Sequence, residues 1–473
     1  MIMETPSPVP DAQGTFKKPG SAPLPPSATP ISSIPPVATQ STVSPFWPER
    51  LAPGRMLMVP PREDLLEAFE RVRAFTLQLC EPLETEDFVV QTMPDVSPTK
   101  WHIAHTTWFF EVFVLNKFVP RYTPVNDQYH YLFNSYYNTL GARHCRPRRG
   151  LLSRPTVAQV MEYRRLVEER LLLLLDSCGD AAYESLAPLV VLGLNHEQQH
   201  QELMLTDLLH VFSANPLRPA YREISQRAPH RFTPLEWKSF SSTIAPMGVD
   251  PNTKRFYFDN EGPRHKVLLQ DFQLANRPVT CGEFLEFIED KGYQNANHWL
   301  SEGWSAVLSQ KWEAPFHWRK SADGWRIMTL AGELPLDPNA PACHLSFFEA
   351  DAFARWAGCR LPTEFEWEFA CGNEPITGCF AESLAVEPRL AENSPGLHPF
   401  GGVWEWTASP YLGYPGFQPA AGAVGEYNGK FMCNQFVLRG GSLATSQSHM
   451  RPTYRNFFPA DAQWQFTGVR LAK

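Results

Sequence analysis

Three things are missing from this chain, and each narrows what it can be. None of its nine cysteines, Cys80, Cys145, Cys178, Cys281, Cys343, Cys359, Cys371, Cys379 and Cys433, forms a CxxC pair. Their odd number and scattered spacing exclude a disulfide framework and suit a reducing compartment. There is no long apolar run: the leucines from Leu171 to Leu175 are far too few to cross a bilayer. The first 45 residues hold no apolar secretory core, so a cytoplasmic enzyme without a membrane partner is expected. Excess positive charge is missing too. A net charge of −8 gives no general affinity for nucleic acid, and the basic stretch from Arg143 to Arg149 is short.

What is present is a long chain with ordinary apolar content. Its 473 residues, 43% of them hydrophobic, allow two or three domains and a sizeable core. Residues 1–58 are rich in Pro, Ser, Thr and Ala, with no apolar period. Such a segment cannot bury enough surface to offset its ordering entropy, so a disordered tail is expected. Residues 59–230 read as helical. Leu65, Phe69, Val72, Phe75 and Leu79 recur near a 3.6 period. Ser97-Pro98 looks like an N-cap with Pro at the first helical position. Thr156 and Gln159 fit a capping box. A fourth helix is expected from about Pro188 to Phe212. Four amphipathic helices suggest a bundle, a scaffold that often holds metals between facing helices. The link from Pro120 to Pro155 is long enough to be functional. Residues 231–473 change texture to short mixed runs with many Trp, Gly and Pro. One clear helix remains there, Ser346 to Gly358, in an α+β domain with much irregular structure.

Histidines dominate the chemistry. His196 and His200 are four apart on the fourth helix, so one face can present both to one ion. His105 lies on another helix, between Trp101 and Trp108, and His102 stands three residues before it. The spacing favours His105 as third ligand without deciding between the two. His196-Glu197-Gln198-Gln199-His200 also matches HExxH, in which the glutamate of a zinc protease is the general base. The extended metzincin pattern fails, because Leu203 and Thr206 stand where Gly and the third His belong. Three imidazoles suit zinc, iron, copper or nickel. The loop Asn134-Ser135-Tyr136-Tyr137-Asn138 supplies phenols that stay protonated at neutral pH and can donate a proton near such a site.

The segments Ser97 to Trp108 and His196 to Glu202 resemble the iron-binding half of the ergothioneine-biosynthesis sulfoxide synthases. That half is a DinB-like four-helix bundle. The C-terminal stretches Pro246-Met247-Gly248, Trp356 to Glu368, Gly402-Val403-Trp404-Glu405-Trp406, Arg439-Gly440-Gly441-Ser442 and Phe466 to Leu471 are similar to a formylglycine-generating-enzyme domain, a C-type-lectin-like α+β fold. The resemblance covers residues 60–473. It implies a multidomain protein in which Fe(II) and O₂ join a cysteine thiol to C2 of the hercynine imidazole, with the sulfur ending as a sulfoxide. By the same resemblance His105, His196 and His200 bind iron. Gln199 touches the substrate imidazole. Asn456, with Phe457 and Phe458, holds the amino-acid and trimethylammonium end of hercynine. Where the best-known subgroup has Asn-Trp-Asp, this chain has Asn456-Phe457-Phe458. That departure, with the Tyr-Tyr loop, resembles a second subgroup that uses free cysteine. It implies Tyr136 and Tyr137 as the catalytic pair, and Asp95 with Arg146 as the thiol-substrate pair.

Rival readings are γ-glutamylcysteine or another thiol as donor, and a zinc DinB-type thiol transferase. Formylglycine generation needs a reactive cysteine pair, and Cys433 is the only cysteine after Cys379.

Overall fold

The computed structural model describes residues 47–390 and 396–473. Most of the expected disordered tail lies outside these residues. Its last part, 47–58, instead packs on the body. Leu51 is buried, Met58 N donates to Lys254 O, and Phe256 N donates to Met56 O.

The helical half contains α1 (Arg62–Cys80), α2 (Thr99–Phe110), α3 (Asn116–Phe118), α4 (Tyr129–Phe133), α5 (Val157–Ser177) and α6 (Asp180–Ala214). Four of them, α1, α2, α5 and α6, pack as the expected bundle. The α1 period does what the sequence predicts, burying Leu65, Phe69, Val72 and Leu79 on one side. Every residue of α2 is buried, because partners surround it. Gly193 lets α2 and α6 meet closely: a Cβ there would lie 2.5 Å from the Phe110 ring. The Thr156–Gln159 capping box opens α5 as expected. Two details differ from expectation. Ser97 caps nothing with its side chain; α2 begins at Thr99, and Ser97 N donates to Asp207 Oδ2 at 2.7 Å. Helix α6 starts before Pro188 and runs through it, since Tyr183, Leu186 and Ala187 extend its buried face across the proline. A π-turn, Glu111–Leu115, follows α2. Glu111 anchors it by accepting from Tyr163 OH at 2.6 Å and Tyr122 OH at 2.8 Å.

The second half starts with β1 (Trp237–Phe240), β2 (Thr243–Met247), β3 (His265–Leu269) and β4 (Phe272–Ala275). Next come α7 (Cys281–Glu289), α8 (Ser301–Gln310), β5 (Trp318–Ser321), β6 (Gly324–Thr329) and β7 (Gly332–Pro335). It ends with α9 (Phe347–Trp356), α10 (Glu364–Cys371), β8 (Trp404–Pro410), β9 (Gln435–Arg439), β10 (Asn456–Pro459) and β11 (Thr467–Gly468). The four-stranded sheet has the order β10-β9-β8-β11, antiparallel except for the β8–β11 pair. The sequence reading found one helix here; the described residues hold four. Of the three it missed, α7 and α10 carry legible capping boxes, Thr280/Glu283 and Thr363/Glu366. They are short, so their periodicity is weak.

The motifs of this half are scaffold. Glu405 pairs with Arg470 at 2.7 Å and accepts from Trp367 Nε1 at 2.6 Å. Glu364 pairs with Arg439 at 2.9 Å and Arg455 at 2.8 Å. All are buried, and each charge meets its opposite, as burial of charge requires. Gly440 and Gly441 follow β9 with φ of +99° and +82°, turning the chain into Ser442–Ser446, which reaches back to α6.

Candidate active site

The bundle gathers His105 from α2 with His196 and His200 from α6. All three are buried, and one ligand atom from each lies within 4.8 Å of the others. Their rings stand steeply to one another, with interplanar angles of 85°, 88° and 61°. His105 is stacked between Trp101 at 4.7 Å and Trp108 at 5.5 Å. Its Nδ1 lies 2.6 Å from the carbonyl of Phe133, in α4. A carbonyl can only accept, so the proton sits on Nδ1 and the lone pair on Nε2. That Nε2 is 3.2 Å from Nε2 of His196.

His102 resolves the ambiguity left by the sequence. Its Nε2 is 3.0 Å from Asp207 Oδ2, and its Nδ1 is 2.8 Å from Nδ1 of His200. Asp207 accepts from the Nε2–H of His102, whose Nδ1 then accepts from His200 Nδ1. The His200 Nε2 lone pair is left for a metal. This is the outer support that metal-binding imidazoles ordinarily have. Desolvation pulls His105 and His200 well below the usual histidine range, and it brings His196 to about 3. The three rings are neutral donors at pH 7. The chemistry of this donor set fits a cation with three nitrogen ligands and open positions.

Glu197 does not take the role that HExxH suggests. It points into the bundle core, accepting from Arg73 at 2.8 Å, Arg164 at 2.9 Å and Thr76 at 2.6 Å. Burial alone would raise its carboxyl, but the Arg164 and Arg73 charges bring it down to about 2. The residues flanking it tie α6 to the second half. Gln198 Nε2 donates to Ser448 Oγ at 2.7 Å. Glu202 accepts from Trp404 Nε1 at 2.5 Å, Thr445 Oγ1 at 2.8 Å and Ser442 Oγ at 3.0 Å. Gln199 Nε2 donates to Tyr454 OH at 2.8 Å, and its Oε1 accepts from Tyr427 OH. The Tyr427 ring lies 5.5 Å from that of His196. Tyr427 and Tyr454 carried no sequence signal, because a lone tyrosine in a loop looks like packing.

The Tyr136 and Tyr137 rings are 4.6 Å apart. Each reaches a histidine of the cluster through one intervening ring: Tyr137 through Trp108 at 5.7 Å, Tyr136 through Tyr427 at 6.3 Å. Desolvation raises both phenols, so they hold their protons. Buried polar atoms without a well-formed hydrogen bond collect in this corner: Tyr137 OH, Ser135 Oγ, Trp108 Nε1 and His196 Nδ1. Asp95 and Arg146 pair at the surface, with Arg146 Nη2 donating to Asp95 O at 2.5 Å and the charges 4.0 Å apart. The buried Arg149, three residues on, lies 3.2 Å over the Trp101 ring and donates to Ser97 Oγ at 2.9 Å. Asn456, Phe457 and Phe458 share strand β10, so successive side chains alternate faces. Phe457 stacks on Tyr411 at 4.0 Å and faces Phe431 at 5.9 Å, whereas Phe458 faces Trp464 at 6.3 Å. Asn456 Oδ1 accepts from the Phe457 amide at 2.9 Å.

Comparison with known proteins agrees with this architecture. Residues 68–204 match the DinB superfamily, and residues 244–382 and 373–473 match the sulfatase-modifying factor enzyme 1-like domain. The hercynine oxygenase of Mycobacterium tuberculosis is 30% identical over 437 residues, 87% of this chain and 98% of that protein. The hercynine oxygenase of Mycolicibacterium thermoresistibile is 31% identical over 447 residues, 88% of this chain and 95% of that protein. Ergothioneine biosynthesis protein 1 of Schizosaccharomyces pombe is 30% identical over 234 residues, 46% of this chain and 28% of that protein. None of the helices among the described residues is long and apolar enough to cross a membrane. The chain belongs to the hercynine oxygenase family of oxidoreductases.

Proposed function

We propose that this chain is a sulfoxide synthase that joins the sulfur of cysteine to C2 of the hercynine imidazole, using Fe(II) and O₂. The S–H and C2–H bonds break, the C–S and S–O bonds form, and the remaining oxygen atom leaves as water. The four electrons released by sulfur and carbon reduce one O₂. The observation that carries the reading is the three neutral, buried imidazoles in the corner where two protonated phenols also lie. When bound, iron supplies the redox partner for O₂ that zinc lacks. His105, His196 and His200 would hold it. On this reading, with the chain divided into 59–230 and 231–473, the metal belongs to the bundle and part of the substrate cradle to the second half.

In this reading Gln199 presents its amide to the substrate imidazole, held in register by Tyr427 and Tyr454. Asn456 receives the amino-acid end of hercynine, and one of the two rings that follow it, Phe457 and Phe458 on opposite faces of β10, meets its trimethylammonium group. Arg146 and Asp95 hold the carboxylate and ammonium of cysteine. Tyr136 and Tyr137 donate a proton where oxygen is reduced. The buried surroundings exclude bulk water from that step.

The test is metal replacement. Metal-free protein is loaded anaerobically with Fe(II) or Zn(II), then given hercynine and equal cysteine and γ-glutamylcysteine in air. Product masses should show a cysteine-derived sulfoxide with iron alone. Turnover with zinc in the absence of O₂ would replace this reading with a thiol transferase, and a γ-glutamyl product would replace the donor.

A further inference from the structure

The loop that carries Tyr136 and Tyr137 belongs to the bundle half, yet much of its support comes from the other half of the chain. Within the loop, Asn134 closes a turn: its Nδ2 donates to Tyr137 O at 3.0 Å, and its Oδ1 accepts from Tyr137 N at 3.1 Å. The backbone then makes one short 3₁₀ turn, Asn138–Leu140. The first amides of any helical turn lack intrahelical acceptors. Here a side chain nearly three hundred residues away in sequence supplies them. Glu426 accepts from Asn138 N and Thr139 N, each at 3.0 Å, and from Thr139 Oγ1 at 2.5 Å. Four residues further on, Lys430 donates to the carbonyl of Tyr136 and lies 4.8 Å over the Tyr136 ring. Glu426 and Lys430 also pair with each other at 2.9 Å.

The grip therefore closes on both sides of Tyr137, on the carbonyl before it and the two amides after it. The segment that delivers it is itself anchored. Asn428 Nδ2 donates to Asp259 Oδ1 at 2.6 Å, Tyr427 stacks on Phe258 at 5.4 Å, and Phe431 meets Tyr136 edge-on at 5.2 Å. Tyr427, between the two charged residues, bonds Gln199 and faces His196. One short segment thus touches the tyrosine loop, the substrate-facing glutamine and a metal-site histidine together.

We propose that Glu426 and Lys430 are positioning residues for the reaction, an inter-domain clamp that fixes the Tyr136–Tyr137 loop and so the two phenol hydroxyls. The proposal rests on the catalytic reading of those tyrosines. A solvent-accessible i,i+4 ion pair by itself contributes little to stability. The value of this pair lies in its three charge-assisted bonds to loop backbone. Although desolvation opposes it, hydrogen bonds from Thr139 and Lys430 bring the Glu426 carboxyl down to about 2, so it stays an ionised acceptor.

The test uses the full-length, iron-loaded protein with Glu426→Ala, Glu426→Gln, Lys430→Ala and Lys430→Arg. Five quantities are read: amide hydrogen exchange of residues 134–141, iron content, melting temperature, KM against kcat for both substrates, and C–S product formed per O₂ consumed. Glu426→Ala should leave iron content and melting temperature as in wild type and keep KM within about twofold. It should speed exchange at Asn138 and Thr139 by roughly tenfold or more. Turnover and product per O₂ should fall about tenfold. Glu426→Gln, with one neutral acceptor, should lie between, and Lys430→Arg should recover most of what Lys430→Ala loses. Unchanged loop exchange in Glu426→Ala would overturn the clamp. Faster exchange with wild-type product per O₂ would overturn its role in positioning. Tyr136→Phe and Tyr137→Phe separate the two readings. If both behave as wild type, the tyrosine assignment has failed. If either is crippled while Glu426→Ala is not, the clamp alone has failed.

Discussion

Replacing Glu197 by Gln asks whether the glutamate of the HExxH string serves chemistry or the fold. In the structure it is one of four charges in a neutral cluster, of which only Glu168 reaches water. Arg73 and Arg164 lie between Glu197 and Glu168, with Glu168 Oε1 at 2.6 Å and 3.0 Å from their two Nε atoms. Both guanidiniums and Glu197 are almost fully shielded from water. Gln keeps the shape and still accepts from Thr76. It removes one negative charge, however, and turns an NH₂ group toward a guanidinium that cannot accept. Breaking one partner of a buried ion pair costs about 3–5 kcal/mol, a factor of 10² to 10³ or more in the folding constant. Equilibrium urea unfolding, followed by tryptophan fluorescence and by helix content, measures the loss. A double variant with Arg73→Met restores charge balance and should recover a good part of it, so the two changes should be strongly non-additive. Metal content and turnover per folded molecule should stay within about threefold of wild type, since the carboxylate oxygens of Glu197 are taken by Arg73, Arg164 and Thr76. A stability loss under about 1 kcal/mol, together with a hundredfold loss of turnover at full metal occupancy, would refute the argument and restore Glu197 as a general base.

Two further outcomes follow from the same geometry. His102→Leu should weaken metal binding about 10- to 100-fold in a chelator competition, because the proton chain from Asp207 to His200 is cut; affinity within twofold of wild type would show that His102 only packs. Acid stability should carry a contribution from Glu387: although burial opposes it, hydrogen bonding by His230 and Arg227 depresses its carboxyl from 4.5 to about 2. A depressed carboxyl stabilises above its unfolded pKa and loses that effect as pH falls from about 4.5 toward 2. The stability gap between wild type and Glu387→Gln should therefore be full at pH 6 and close at low pH; a gap that is the same at both ends would contradict it.

The helices of the bundle were legible because their apolar residues recur with the period of the helix, as Leu65, Phe69 and Val72 do in α1. Helix α2 was legible less by amphipathicity, since all its residues are buried, than by the histidines and tryptophans it carries. Pairing His196 with His200 needed only the i,i+4 rule. Choosing His105 over His102 needed the tertiary contacts of each ring. The second half was largely opaque. Its helices are short, its strands are brief, and its motif residues turn out to be buried ion pairs such as Glu405–Arg470. A pattern that serves long-range charge balance leaves no periodic trace.

The sequence by itself determined the two-part architecture, the i,i+4 pair His196 and His200 and the adjacent tyrosines, because helical periodicity, fixed spacing and residue chemistry are local properties. Only the tertiary structure decided that Glu197 faces two arginines and that His102 stands behind His200. It also brought Tyr427, Glu426 and Lys430 across from the other half onto the Tyr136–Tyr137 loop. Those outcomes depend on which faces α2, α5 and α6 turn toward one another and on contacts between residues hundreds of positions apart, and no local pattern encodes either.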